Sequence, residues 1–169
     1  YGEHMSAALG AIDIRIDQGR ERIPISATTI REDLYAHRRF LSPRVYFDHL
    51  IKVALLGAPS TGKSTLAEKL AEHFKTTHMP EYGREYWELN NIQRRLTSEQ
   101  LLEIATTHRE RELAMAFDAK QYFFIDTNAI TTTIFSEYYH GDTLPRLREL
   151  ANETKERYNV VILCGDDIA

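Results

Sequence analysis

The residues most able to do chemistry are gathered in one octet, Gly57-Ala58-Pro59-Ser60-Thr61-Gly62-Lys63-Ser64. Its spacing is G-x-x-x-x-G-K-[ST]. The glycines let backbone N–H groups turn inward around phosphate oxygens, and the following helix N-terminus adds partial positive charge. Lys63 is expected to reach the β/γ oxygens of a nucleoside triphosphate, and Ser64 to hold Mg²⁺.

Two further groups complete a candidate site. Tyr122-Phe123-Phe124-Ile125-Asp126 is an apolar run that ends in an acid. Ligands of open parallel sheets gather outside the carboxyl ends of the strands, so Asp126 is the leading acid to hold Mg²⁺, directly or through water, or to orient an acceptor hydroxyl. The competing reading is an N-cap for the helix entered at Asn128. The other group is Met79-Pro80-Glu81-Tyr82-Gly83-Arg84-Glu85-Tyr86-Trp87. Its carboxylate could grip a sugar hydroxyl, its Tyr and Trp an aromatic ring, and its Arg a phosphate. Glu81 is the first choice for the acceptor's base. The bland alternative has Tyr82, Tyr86 and Trp87 packed against the sheet, with Arg84 and Glu85 in water.

Those residues need elements to position them. Ile51 to Leu56 is short, nearly all apolar and followed by Gly57, as a strand buried on both faces reads. A helix follows in which Leu66, Leu70 and Phe74 share one face. Thr77 to Glu81 is expected as a second strand, with a helix near Arg84 to Asn90. Thr97 with Gln100 reads as a capping box for a helix running to about Asp118. Tyr122 to Asp126 is the third strand, helices are expected over Ala129 to Tyr139 and Leu144 to Tyr158, and Val160 to Cys164 is expected as a fourth buried strand. Strands alternating with helices predict an α/β fold with a parallel sheet, the core of a P-loop NTPase. Ahead of it lie a helix candidate (His4 to Leu9), an alternating Ile12, Ile14, Ile16 piece and a joint at Pro43, which suggests two parts, 1–46 and 47–169.

Composition narrows the function classes. The 169 residues carry 21 basic and 25 acidic side chains, a net charge of −4, which argues against broad phosphate-driven nucleic-acid binding. No apolar run approaches the roughly 20 residues that cross a bilayer, and the first residues lack the order of a signal peptide, so no membrane role is expected. The single Cys164 permits no internal disulfide, which suits a reducing compartment and the cytoplasm. His4, His37, His49, His73, His78, His108 and His140 have no zinc spacing and read as surface or core residues.

The strings GAPSTGKSTLAEKLA, PEYGREYW and FFIDTNAITT resemble the ribosylnicotinamide kinase domain of the NadR-type bifunctional proteins of bacterial NAD synthesis. Upstream, Tyr1-Gly2-Glu3, Ala8 to Ala11 and Ile25-Ser26-Ala27-Thr28-Thr29-Ile30-Arg31 resemble the C-terminal part of a nicotinamide-mononucleotide adenylyltransferase domain. In NadR-type proteins that domain directly precedes the kinase. The resemblance implies ATP phosphate binding by Gly57 to Thr65, Mg²⁺ near Ser64 and Asp126, and nucleoside contact from Glu81, Tyr82, Arg84, Tyr86 and Trp87. Ser26, Thr28 and Arg31 match the phosphate segment of the adenylyltransferase. The reaction implied is transfer of the γ-phosphoryl of ATP to the ribose 5′-hydroxyl of nicotinamide riboside, with Lys63, Glu81, Asp126 and Arg84 carrying it.

The sequence also departs from that family. No two histidines have HxGH spacing, so the front is expected to be a remnant without adenylyl transfer. The sequence stops at Ala169, where relatives are expected to continue into a lid. Asn128 stands where relatives tend to have Asp. Two other readings stay open: a nucleotide-binding regulatory module that transfers no phosphate, and a kinase for another nucleoside. No N-K-x-D guanine motif occurs.

Overall fold

The computed structural model of the protein describes residues 2–14, 16–90 and 95–165. The chain divides into two compact units, Tyr1–Phe40 and Leu41–Ala169.

The first unit holds helix α1 (Gly2–Leu9), helix α2 (Ala27–Glu32) and a single 3₁₀ turn at Arg38–Phe40. None of its described side chains is buried. Ile12, Ile14 and Ile16 lie exposed outside any strand. Local polar bonds shape this unit instead. The Asp17 carboxylate accepts the N–H groups of Glu21, Arg22 and Ile23. These bonds, from Ile23 above all, hold its pKa below the ordinary carboxylate value.

In the second unit the Ser42 hydroxyl accepts the Val45 N–H and starts helix α3 (Pro43–His49). Pro43 takes the first helical position, where a missing N–H is tolerated. Strand β1 (Ile51–Gly57) follows, with Val53, Ala54 and Leu55 buried. Strand β3 (Tyr122–Asp126) runs parallel beside it and sets Leu55 opposite Asp126. Strand β2 (His78–Met79) lies beyond β3, and strand β4 (Val160–Cys164) flanks β1 with Cys164 opposite Gly57. The order is β2-β3-β1-β4 and every pair is parallel, the α/β architecture that the alternation predicts. The helices are α4 (Lys63–Phe74), α5 (Tyr82–Leu89), α6 (Ser98–Met115), α7 (Ala129–His140) and α8 (Pro145–Thr154). The capping box forms: the Gln100 N–H donates to Thr97 Oγ1 (3.3 Å), and the Thr97 N–H to Gln100 Oε1 (2.9 Å). Among the described residues no helix is long and apolar enough to cross a membrane.

Several local expectations are corrected. The buried face of α4 is Ala67 and Ala71, not Leu66, Leu70 and Phe74. Val53, Leu55 and Phe124 already fill the space over the sheet, and only small residues let the helix approach. Leu70 packs at the rim of this cluster, and Phe74 leans on Tyr122 and Phe124 while 43% exposed. Strand β2 spans two residues rather than five, because Pro80 has no N–H for the ladder. Helix α8 ends at Thr154, four residues short of Tyr158, since Arg157 and Tyr158 are drawn onto the buried Glu112 of α6 (2.8 and 2.9 Å). Strand β4 is not buried. It lies at the sheet edge, with Val161 56% and Leu163 78% exposed.

Candidate active site

The octet forms a loop whose backbone few L residues would accept. Gly57 has φ +145°, and a Cβ there would come within 2.4 Å of the Cys164 carbonyl oxygen. Ser60 and Gly62 have φ +64° and +80°. Changes of hand of this kind turn successive N–H groups into one concavity. Gly62 caps α4 without a side-chain bond, so the first N–H groups of that helix face the same concavity. Lys63 is buried. Its Nζ donates to the Ala58 carbonyl (2.6 Å) and reaches Thr61 Oγ1 (3.4 Å), arching back over its own loop.

A cavity of about 580 Å³ opens from this loop, within the range of small-molecule sites. Gly57 and Pro59 to Thr65 line it on the loop side. Glu81, Gly83, Arg84 and Trp87 contribute from the β2–α5 junction and α5, and Leu101, Ile104 and His108 from α6. Thr127, Asn128, Thr131, Thr132, Phe135 and Tyr139 come from the start and length of α7. The octet and the Glu81 group therefore face one cavity, whereas Asp126 is not among its lining residues and lies at the same end of the sheet, opposite Leu55 of β1. Within the Glu81 group the residues separate. Glu81, Arg84 and Trp87 line the cavity, whereas Tyr82 and Tyr86 are buried beside it: Arg111 lies 4.1 Å over the Tyr82 ring, and the Tyr86 hydroxyl donates to Glu103 (2.8 Å). Glu85 pairs with Arg111 (2.6 Å).

Asp126 is 1% exposed, and neither carboxylate oxygen has a hydrogen-bond partner. The N-cap of α7 is Asn128 itself, whose Oδ1 accepts the Ile130 N–H (2.9 Å). The capping explanation of Asp126 is thereby removed, and an orphaned buried acid remains beside the phosphate loop. The intervening Thr127 is a β-branched residue at φ +64°, a strained conformation held by its N–H bond to the Leu55 carbonyl (3.1 Å). Glu81 pairs with Arg84 (3.4 Å). Burial pushes the Glu81 pKa up, the Asp126 charge adds to the rise, and Arg84 and Lys63 oppose it. A second carboxylate and two cations thus act on Glu81 at this end of the sheet.

Sequence reasoning missed most of the α6–α7 wall. His108 is 5% exposed, and its Nε2 has no partner. Burial, then the charges of Arg157 and Arg111, push its pKa down to about 4. Asn128 keeps an unpartnered buried Nδ2. The Phe135 and Tyr139 rings stack at 5.7 Å. Their i, i+4 spacing and the polar run Thr131-Thr132-Thr133 were the signals available; nothing about His108 sets it apart from six other histidines in the chain.

A family model described as the AAA domain matches residues 52–169. The chain belongs to the AAA domain family. The trifunctional NAD biosynthesis/regulator proteins NadR of Salmonella typhimurium (strain LT2) and Escherichia coli (strain K12) are each 34% identical to it over 166 residues, 96% of this chain and 39% of theirs. The chain spans about two fifths of the length of these curated relatives. A crystal structure of NadR protein in complex with NR aligns with TM-score 0.66 and 27% identity, covering 85% of this chain and 41% of that one. A second, in complex with NAD and AMP-PNP, aligns with TM-score 0.64 and 25% identity over 85% and 42%. These findings bear out the NadR-type resemblance carried by the motifs, and the P-loop NTPase core with it.

In the first unit Ser26 caps α2: its Oγ accepts the Thr29 N–H (3.0 Å) and bonds Thr29 Oγ1 (2.8 Å). Thr28 and Arg31 lie on that short helix.

Proposed function

We propose that the protein transfers the γ-phosphoryl group of ATP to the ribose 5′-hydroxyl of nicotinamide riboside, acting in the cytoplasm in NAD biosynthesis. The observation that carries this reading is the make-up of the cavity away from its loop. Its residues there include a carboxylate, aromatic rings and an uncharged imidazole, set among aliphatic, threonine and asparagine side chains. Arg84, the one arginine among the described lining residues, is already engaged by Glu81. Such a wall suits an uncharged sugar and a flat ring better than a second phosphate. The similar NadR structures, one in complex with NR and one with NAD and AMP-PNP, support the same choice of ligands.

In this reading the loop N–H groups and Lys63 hold the triphosphate, with phosphate oxygens replacing the Ala58 carbonyl as the partner of Nζ. Glu81, with its raised pKa, takes the proton of the attacking hydroxyl; a base poised nearer neutrality is the better catalyst. Arg84 steadies Glu81 through their ion pair. Trp87 packs on the acceptor, with Tyr82 and Tyr86 supporting α5 behind it. The orphaned carboxylate of Asp126 and the Ser64 hydroxyl are an oxygen-donor set suited to a hard divalent cation, and these two residues would hold Mg²⁺. Bound there, Mg²⁺ supplies neutralisation of phosphoryl charge. Residues 47–169 form the kinase part in this reading, and residues 1–46 derive from an adenylyltransferase domain, with Ser26, Thr28 and Arg31 in its phosphate segment.

The test is thin-layer chromatography of the 169-residue chain with γ-labelled ATP, with and without nicotinamide riboside. Label in nicotinamide mononucleotide is expected. Label that stays in ATP, or passes only to inorganic phosphate, overturns the proposal.

A further inference from the structure

His108 belongs to the cavity but has no part in the chemistry above. On α6 it follows Ile104 by four residues and Leu101 by seven, so the three share the face that lines the cavity. The ring is 5% exposed, and its Nε2 finds no partner. Buried polar atoms of native proteins are nearly always hydrogen-bonded, and each exception asks for a reason. Toward the start of α6 its neighbours on that face are apolar, and Glu112, one turn on, is already taken by Arg157 and Tyr158, so neither side supplies a partner. With Arg157 and Arg111 nearby, the ring stays uncharged near neutral pH. A neutral imidazole offers one donor and one acceptor, and it repels neither a cationic nor an uncharged ligand.

The geometry points to His108 as an acceptor-specificity residue, whose Nε2 hydrogen-bonds an uncharged hydroxyl or amide group of the nucleoside that fills the cavity. This rests on the nucleoside reading above. The contact serves the acceptor and not ATP, because α6 packs on α5, α7 and α8, whereas the phosphate loop opens α4. A ligand that leaves Nε2 unpaired meets the cost of a buried orphan, which favours acceptors carrying the matching group.

The experiment is calorimetry on the 169-residue chain, titrating nicotinamide riboside and, separately, Mg²⁺ with AMP-PNP into wild type, H108L and H108Q. For H108L the expected result is a nucleoside Kd raised about tenfold or more, with AMP-PNP affinity within twofold of wild type. H108Q, which keeps an amide near the place of Nε2, recovers most of the loss. The 2′-deoxy and 3′-deoxy nucleosides and the riboside lacking the carboxamide identify the group: the analogue without it binds wild type weakly and loses nothing further in H108L. Equal nucleoside affinity in wild type and H108L overturns the inference, as does a matched loss for both ligands that H108Q does not repair. Should H108L fail to fold, H108N decides: its shorter amide must weaken the nucleoside about tenfold and spare AMP-PNP, and unchanged affinity overturns the inference. A wild type that takes AMP-PNP but no nucleoside removes the acceptor reading and this inference together. That outcome is distinct from one in which the wild type binds the nucleoside and H108L binds it equally well.

Discussion

The phosphate loop and the α6–α7 wall face the same cavity and are built by opposite means. The loop is eight consecutive residues, and it works through its backbone: Gly57 passes the Cys164 carbonyl where no Cβ fits, and Ser60 and Gly62 change the hand of the chain. In the proposed reaction only Lys63 and Ser64 among its side chains carry a chemical role. The wall takes single side chains from separate turns of two helices, Leu101, Ile104 and His108 from one and Thr131, Phe135 and Tyr139 from the other. Beside it stands a polar cluster, the buried Glu112 with the half-buried Arg157 and Tyr158, which ties α6 to the segment leading into β4. Backbone sites tolerate change in most of their side chains, whereas a wall of packed side chains depends on each neighbour and on whatever holds its helices together.

The sharpest way to break that contrast is Lys63→Ala. It removes the loop's one buried cation, and turnover is expected to fall by roughly 10⁴-fold. Nicotinamide riboside affinity, measured by calorimetry, stays near the wild-type value because the wall is untouched. Comparable losses of both would mean that the two regions do not act separately.

Glu112→Ala tests the support of the wall. Arg157, its side chain 12% exposed, is left without its buried partner, which costs about 3–5 kcal/mol on denaturant unfolding. A loss below about 1 kcal/mol would show that the cluster does not hold α6 in place.

Acid separates the regions in a different way. The folded-state pKa of His108 is about 4, below its ordinary value of 6.5, so the unfolded chain binds a proton first as pH drops. The contribution is complete above pH 6.5 and disappears as pH falls through 4. It amounts to about 3 kcal/mol. Melting temperatures of wild type minus those of H108Q should therefore decline across that window. A difference that stays flat with pH contradicts a buried neutral ring.

The smallest of these effects is expected from Glu81→Gln, at the junction of the two regions. Turnover should drop about 10²-fold with AMP-PNP binding retained. Unchanged turnover would transfer the role of base to Asp126.

Legibility followed the same division. The loop, the strands Ile51–Gly57 and Tyr122–Asp126 and the capped start of α6 could be read directly, because each is governed by neighbours in the chain. Where a distant contact decided the outcome, the reading slipped. Ala67 and Ala71, not the larger Leu66 and Phe74, are the buried residues of α4 because aromatic and branched residues on β1 and β3 had already occupied the volume. Helix α8 stops early because Arg157 and Tyr158 find a carboxylate on another helix. His108 could not be told from its six fellow histidines until α6 and α7 came together.

Taken by itself, the sequence determined the shape of the loop end: a glycine spacing between an apolar strand and a helix, set by local backbone geometry, with a lysine and a strand-end acid as the candidates for its chemistry. Tertiary structure alone decided that Asp126 is an orphaned acid rather than a helix cap, that Tyr82 and Tyr86 stand behind the cavity rather than in it, and that a neutral histidine joins its wall. The physical reason is that burial and the pairing of polar groups depend on residues remote in the chain, and no local pattern encodes which of them will arrive.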